Sequence, residues 1–322
     1  MNEVLLSNQV IVYLLSEVIL FLLLFIAFLV SLNILQKWNF ESFNPTQFRL
    51  EKDTYLVNTI ILFVFALKFI LVIYFIFTID ELSNIVTGAM CGAGVITANS
   101  YGTPLLTLKL TILLFLTLWM YINHYDTKTK DHHYIKDKTW LFISIFLILI
   151  FELFLDFQYF TNIDTHQPVS CCSALFGQLE GANPLPFGLN ITMLLTLFYL
   201  LYTLVILALY SKQKLLYIIT NLLFLYIAYY AIVYFFGTYI YQLPTHKCPF
   251  CMLQVNYFYI GYAVWGSLFI GTFIGLSDTI SALWLKKPYQ KHSILVASFV
   301  SFFVLLVTLY VAVYYLGNGM LL

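Results

Sequence analysis

Charge is what this chain has least of. Only 9 % of its 322 residues are Asp, Glu, Lys or Arg, against roughly 25 % in a soluble globular domain. The chain is 62 % hydrophobic and 19 % aromatic, with a mean hydropathy of +0.91. That leaves too little polar surface for a water-soluble fold. The 15 basic and 15 acidic residues cancel, so the charge sum gives no ground for nucleic acid as a partner. A basic n-region and a small-residue cleavage site are also missing ahead of the first apolar run, since Met1 to Val10 carries Glu3 and no Lys or Arg. That run is too long for a signal h-region and is expected to stay as a spanning helix. There is no Pro- or Ser-rich linker, and no ten-residue alternation of the kind a membrane barrel strand shows.

What is there is a series of long apolar runs. About 20 mainly apolar residues cross a bilayer as a helix, and eight runs qualify: Val10–Leu35, Tyr55–Ile79, Leu105–Asn123, Thr139–Phe160, Leu189–Tyr210, Leu215–Gln242, Leu253–Leu276 and Ser293–Leu316. The expected fold is all-α, a polytopic integral membrane helix bundle in contact with lipid. Basic residues concentrate in alternate connections: Lys37, Arg49 and Lys52; Lys128, Lys130, Lys136 and Lys138; Lys212 and Lys214; Lys286, Lys287 and Lys291. The opposite connections hold Lys247 alone. By the positive-inside rule the basic loops face the cytoplasm and both termini face outward. The expected location is a bacterial inner (plasma) membrane.

All five cysteines then fall on the outer, periplasmic face. Cys91 lies between the second and third runs, Cys171 and Cys172 between the fourth and fifth, and Cys248 and Cys251 between the sixth and seventh. This is the oxidising side, where disulfides persist. The odd number leaves at least one thiol unpaired, liganded or transiently cross-linked at any moment.

Cys248-Pro249-Phe250-Cys251 opens the seventh run. Two cysteines three apart at a helix start can close a small disulfide, and helix-end amides favour a thiolate there. Pro249 suits the first helical position. Lys247 and a protonated His246 are expected to lower a neighbouring thiol further. Cys248 is the expected exposed member, because Cys251 lies deeper in the helix. Redox exchange, half of a metal site and a plain structural disulfide all fit this pair. Cys171-Cys172 can form a strained, labile vicinal disulfide that shuttles equivalents, supply two soft ligands, or staple its loop to Cys91. Met90-Cys91-Gly92-Ala93-Gly94 offers one thiol, or a pair of soft donors suited to Cu(I). Its small residues allow close backbone approach in a re-entrant, lid-like or simply packed loop.

Cys248-Pro249-Phe250-Cys251-Met252-Leu253-Gln254 resembles the Cys-x-Leu-Cys-x-x-Gln-Arg signature of the DsbB-type disulfide-forming quinone reductases, with Phe250 in place of Leu and Val255 in place of Arg. The topology of helices four to seven is also similar to the vitamin K epoxide reductase family, with loop cysteines after its first helix and Cys-x-x-Cys at the start of its last. The chain is expected to be a single membrane domain over 1–322, with an amino-terminal three-helix part at 1–138 that holds the Cys91 loop and a final helix at 278–322; the resemblance implies a four-helix thiol-redox unit at 139–277. It further implies a membrane thiol–disulfide oxidoreductase that exchanges electrons between a soluble outer-face thiol protein and a membrane quinone. Cys248 and Cys251 would be the reactive pair, Cys171 and Cys172 the relay, and Gln254 a cofactor contact.

Glu17, Lys68, Lys109, Glu152 and Asp156 lie inside apolar runs, where charges are costly and point to function. Glu152 and Asp156 share a helix face. Glu152 and Asp156 are candidates to supply protons to a quinone or to line a cation path, with Lys109 and Glu152 as cofactor contacts; internal salt bridging between Lys109 and a carboxylate is the other reading. His132 and His133 read as a solvated loop. The competing function is soft-metal handling, with copper as the ion and Cys91, Met90, His246 and His166 among the ligands. Against it stand the lack of a cytoplasmic cysteine and of Met-x-x-x-Met ladders. A third reading makes the chain an anchor subunit of a larger respiratory or maturation complex, its cysteines stapling loops.

Overall fold

The computed structural model describes residues 3–39, 44–129, 132–169, 185, 188–211, 213–286 and 293–322. Among these it is all-helical, and eight helices are long and apolar enough to cross a membrane, which is compatible with an integral membrane protein. The helices are α1 (Asn8–Lys37), α2 (Pro45–Leu82), a short α3 (Gly92–Ile96), α4 (Gly102–Thr127), α5 (Ile135–Thr161), α6 (Ile191–Ser211), α7 (Lys214–Ala231), α8 (Gly237–Tyr241), α9 (Ile260–Trp284) and α10 (Ser293–Asn318). A π-helical turn, Ile232–Phe236, joins α7 to α8, so the two form one span.

Two helices outrun their apolar windows. α2 starts at Pro45, in the first helical turn where a missing N–H costs nothing. Gln47, Arg49, Glu51 and Lys52 then continue as helix ahead of the apolar stretch, because straight-chain polar residues are good helix formers. α5 starts at Ile135, where Lys138 is buried against Asp126 at 2.5 Å and Asn123 at 3.3 Å. Asp126 also accepts from the Tyr134 N–H at 3.0 Å and lies 3.3 Å from His132 Nδ1. His132 is thus part of a clasp across the α4–α5 turn, not a purely solvated loop residue.

The chain divides into two compact units. The first, 1–85 and 99–165, is a four-helix bundle in which α1 packs on α2 and α5, and α4 on α5 and α2. Its interior includes Phe65 edge-on to Trp119 at 5.2 Å and Phe142 at 6.3 Å from Phe65. Leu15, Leu22 and Ile26 of α1 stay exposed; a helix apolar on both faces is built for lipid on one of them.

The second unit, 86–98 and 166–322, packs α6 on α7, α7 on α9, and α9 on α10. Phe198, Phe224, Phe236 and Phe303 meet at its centre, with Phe198 5.6, 5.1 and 6.0 Å from the other three rings. Gly271 and Gly275, one turn apart on α9, let its neighbours approach closely. A methyl at Gly271 would sit 2.8 Å from the Val300 side chain and 3.1 Å from its backbone, and one at Gly275 would meet the Tyr217 hydroxyl. Small residues four apart are the usual means of close helix contact in lipid.

Candidate functional site

Three of the five cysteines converge inside the second unit. Cys91, Cys248 and Cys251 are buried, and their sulfurs all lie within 4.8 Å of one another. Cys91 Sγ is 3.5 Å from Cys248 Sγ. Cys171 and Cys172 fall outside the described residues.

Local chemistry on each side builds this meeting point. Cys91 is extended (φ −161°) and leads into α3, all five residues of which are buried. The chain can fold this tightly because Gly88 adopts φ +83° with the Val169 carbonyl 2.8 Å from where a Cβ would be, and Gly94 sits 3.1 Å from Ala89 by the same measure. Val169, two positions before Cys171, donates its N–H to the Thr87 carbonyl at 2.9 Å. The small residues around Cys91 therefore act as a packed turn.

The Cys248–Cys251 segment is held by a residue that spacing did not single out. The Tyr241 hydroxyl, on the last residue of α8, donates to the Cys248 carbonyl and accepts the Met252 N–H at 3.1 Å. The Tyr241 ring meets His246 edge-on at 4.3 Å and Tyr257 at 4.8 Å. Trp265 Nε1 donates to the Pro249 carbonyl at 3.3 Å, and the Phe250 N–H points to Cys248 Sγ at 3.4 Å. The π turn sets the phase of Tyr241: a methyl at Gly237 would lie 2.7 Å from the Ile232 carbonyl, so glycine is required there. A π turn inside a helix frequently accompanies a functional site. The signal in the sequence was faint, one tyrosine among 25.

Three expectations about this segment are corrected. Cys-x-x-Cys does not open the seventh spanning helix: Cys251–Leu253 is a single 3-10 turn, and α9 starts at Ile260 after Phe258 and Tyr259 take left-handed φ of 53° and 56°. Helix-end amides therefore do not face these sulfurs. Cys248 is 1 % exposed and Cys251 8 %, so Cys248 is not an exposed member, because the Tyr241 clamp folds it inward. The Cys251 thiol is pushed well up, first by hydrogen bonding to Cys248 and to Cys91 and then by burial. Burial also lowers the His246 imidazole, an effect that the nearby Cys91 partly opposes, and the Lys247 ammonium lies over the Tyr234 ring at 5.2 Å.

The remaining predicted ligands spread out. Gln254 donates to the Met90 carbonyl at 3.4 Å, whereas the Met90 residue is 73 % exposed. His166 is exposed. His246 Nε2 is buried without a hydrogen-bond partner among the described residues.

Lys109 and Glu152 belong to the first unit, where the charges within the long apolar helices gather into one network. Lys68 donates to both Glu17 oxygens at 2.9 and 2.8 Å and to Glu152 at 2.7 Å. Lys109 donates to the Tyr13 hydroxyl at 2.6 Å, Glu152 at 2.7 Å and Asp156 at 2.9 Å. The salt bridging expected for Lys109 is present, and the partners of Lys68 are Glu17 and Glu152. Tyr13 was missed, although its place four residues before Glu17 puts both on one helix face.

No protein-family model, curated protein or solved structure matches this chain.

Proposed function

We propose that the chain is a membrane thiol–disulfide oxidoreductase whose centre is the Cys91, Cys248 and Cys251 trio. The observation that carries this reading is the common reach of one sulfur: Cys248 lies 3.5 Å from Cys91 and in the same cluster as Cys251. Cys248 is then the shared member of two alternative disulfides. Passing from one to the other forms one S–S bond as another breaks, with a proton moving to the departing sulfur. A backbone N–H supports negative charge on Cys248, and Cys251 is the sulfur that favours its proton.

Burial of the trio gives Cys171 and Cys172 their part, since a protein partner cannot attack sulfurs that are nearly enclosed. The chain enters their segment from beside the Cys91 loop, through the Val169–Thr87 hydrogen bond. An outer-face dithiol protein reduces the relay, the relay reduces the trio, and a membrane quinone takes the two electrons and two protons to become a quinol. The net exchange turns the partner dithiol into a disulfide. Tyr229 and Trp265, rings 6.0 Å apart and tilted by 42°, border the Pro249 side and offer aromatic surface to a quinone. The likeness of Cys248–Gln254 to the DsbB-type signature supports the same chemistry. The topology that goes with it has both termini and the thiol loops outward in a bacterial inner membrane.

A second reading, capture of a soft cation such as Cu(I), is favoured by one observation. Three enclosed sulfurs within 4.8 Å of one another make a soft donor set.

Thiol trapping in native membranes across a series of redox buffers, followed by peptide mapping, tests the proposal. A Cys248 disulfide that titrates in the range of known exchange proteins, together with a Cys248 cross-link to Cys171 or Cys172 that accumulates in Cys251→Ser, is the expected result. Thiols that stay reduced throughout and become protected only on adding Cu(I) would sink it in favour of metal capture.

A further inference from the structure

The network in the first unit contains three carboxylates (Glu17, Glu152, Asp156) and two ammonium groups (Lys68, Lys109), all buried among helices that are long enough to span a membrane. Fully ionised, it would carry one uncompensated negative charge. An unpaired ion in such surroundings is strongly disfavoured even after relaxation.

The hydrogen bonds give the same count independently. Each ammonium has three N–H donors and no acceptor, and both lysines use all three. The Tyr13 oxygen accepts from Lys109 and lies 3.0 Å from Glu17 Oε1 and 3.1 Å from Asp156 Oδ1. A phenol has one proton to donate, so it satisfies only one of these two contacts. The other holds two oxygens at hydrogen-bond distance with nothing between them unless a carboxyl supplies a proton. Glu17 Oε1 already accepts from Lys68, whereas among the described residues Asp156 Oδ1 has its hydrogen-bond contact with Tyr13 alone.

We propose that this network is a proton-binding site that holds one exchangeable proton on Asp156 Oδ1 and relays it through Tyr13 to Glu17. In the resting arrangement Asp156 donates to the Tyr13 oxygen and Tyr13 donates to Glu17 Oε1. Transfer moves the Asp156 proton to the Tyr13 oxygen as the Tyr13 proton passes to Glu17. The proton count is unchanged, and the negative charge moves from Glu17 to Asp156. A cavity of about 10 Å³ lies against Glu17, Lys68 and Glu152, beside Leu20, Leu24 and Leu149. That is at the lower edge of the room one water needs, and a water there would lie at the Glu17 end of the relay. The groups that face Asp156 are Tyr13 and Glu17 from α1, Lys109 from α4, and Glu152 and Tyr159 on its own helix; Lys68 from α2 pairs with Glu17 and Glu152. Glu3, on the turn that packs against α5, is exposed.

Infrared spectroscopy of the full-length protein in lipid vesicles, in H2O and D2O, reads a protonated carboxyl directly. The expected result at pH 7 is a deuterium-sensitive carboxylic-acid carbonyl band that Asp156→Asn removes and the exposed-residue control Glu81→Gln keeps. Tyr13→Phe is expected to keep the band and to slow its deuterium exchange at least tenfold, because the relay loses its middle oxygen. Asn matches the proposed bonding, with its oxygen accepting from Lys109 and its NH2 donating to Tyr13. Asp156→Asn should therefore leave the Tm close to that of the parent, while Glu152→Gln, which turns an NH2 toward a lysine, lowers it. A wild-type protein without the band at pH 7, a band that survives Asp156→Asn, or an Asp156→Asn protein less stable than Glu152→Gln would each overturn the proposal.

Discussion

Cys91 and Cys248 stand 157 positions apart in the chain and 3.5 Å apart at their sulfurs. A contact this close between buried thiols needs only a small approach and the loss of two electrons to become a bond. Mild oxidation is expected to link Cys91 to Cys248, read as a cross-linked peptide pair after digestion. In Cys91→Ser the same treatment should give Cys248–Cys251 instead. A cross-link enclosing so long a loop raises stability by up to about 5 kcal/mol on the chain-entropy account, so the oxidised protein should melt well above the reduced one. Exclusive recovery of Cys91 as a free thiol after oxidation would contradict the shared-sulfur reading.

Cys251 should be the slowest of the three thiols to alkylate. Its pKa is raised by its hydrogen bonds to Cys248 and Cys91 and by burial, and only the thiolate is nucleophilic. With a small permeant maleimide, its labelling is expected to stay low at pH 7–8 and to rise only above the usual thiol range near pH 8.5. Cys248→Ala removes the first of those hydrogen bonds and should shift the labelling profile to lower pH. Fast labelling of Cys251 at neutral pH in the unaltered protein would contradict this assignment.

His246 gives the thiol unit a pH dependence of definite sign. Burial holds its pKa below the ordinary 6.5, so between the folded and unfolded values the unfolded chain binds more protons. Stability then rises with pH: it is complete above about pH 6.5 and is lost as pH falls through the folded value. The Tm should drop between pH 7 and pH 5, and His246→Gln should flatten that slope. A Tm that climbs on acidification over this window would show the imidazole to be stabilised as a cation.

How much could be read from the sequence differs between the spans and the sites. Eight spans were legible because twenty apolar residues are needed to cross a bilayer, and runs such as Ser293–Leu316 have no other use. The starts of α2 and α5 were not, because Arg49, Glu51 and Lys138 are compatible with helix but invisible to a hydropathy window. The Cys-x-x-Cys pair was legible as chemistry, whereas its partner Cys91 was not: nothing in spacing reveals a contact made by a packed turn at Gly88 and Gly94. The left-handed Phe258 and Tyr259 were equally hidden, since neither residue type advertises positive φ. Charges at membrane depth were evident at once. Their pairing was only half legible, because helix neighbours such as Glu152 and Asp156 follow from periodicity while Lys68 to Glu17 needs the bundle.

Lys68, on α2, bridges Glu17 and Glu152 at 2.8 and 2.7 Å. Lys68→Met keeps the stem volume and removes the charge, leaving Lys109 to balance the two carboxylates that stay ionised when Asp156 holds its proton. Breaking a buried pair in this way costs about 3–5 kcal/mol, expected as a lower Tm of the purified protein in detergent. Adding Glu17→Gln should restore part of the loss, because the carboxylate left unpaired is then gone. A double variant no more stable than Lys68→Met would mean that the lysine acts through packing alone.

Gly261 links the helix scaffold to the thiol chemistry. A methyl there would sit 2.6 Å from Met252 Cγ, 2.8 Å from Leu253 Cδ2 and 2.9 Å from the Met252 backbone carbon. Two of these neighbours are side-chain atoms with room to turn, but the third is backbone, so the Cys251–Leu253 turn itself must shift. Overpacking of this kind costs about 1–3 kcal/mol. Because Cys251 is the first residue of that turn, Gly261→Ala is expected to separate it from Cys248 and Cys91, lower its thiol pKa and speed its alkylation while the eight spans stay intact by circular dichroism. Gly266→Ala, on the same helix with open space where the methyl would go, should change neither the Tm nor the labelling. If both substitutions proved equally silent, the turn would be pliant, and the geometry of the trio would depend on the Tyr241 clamp alone.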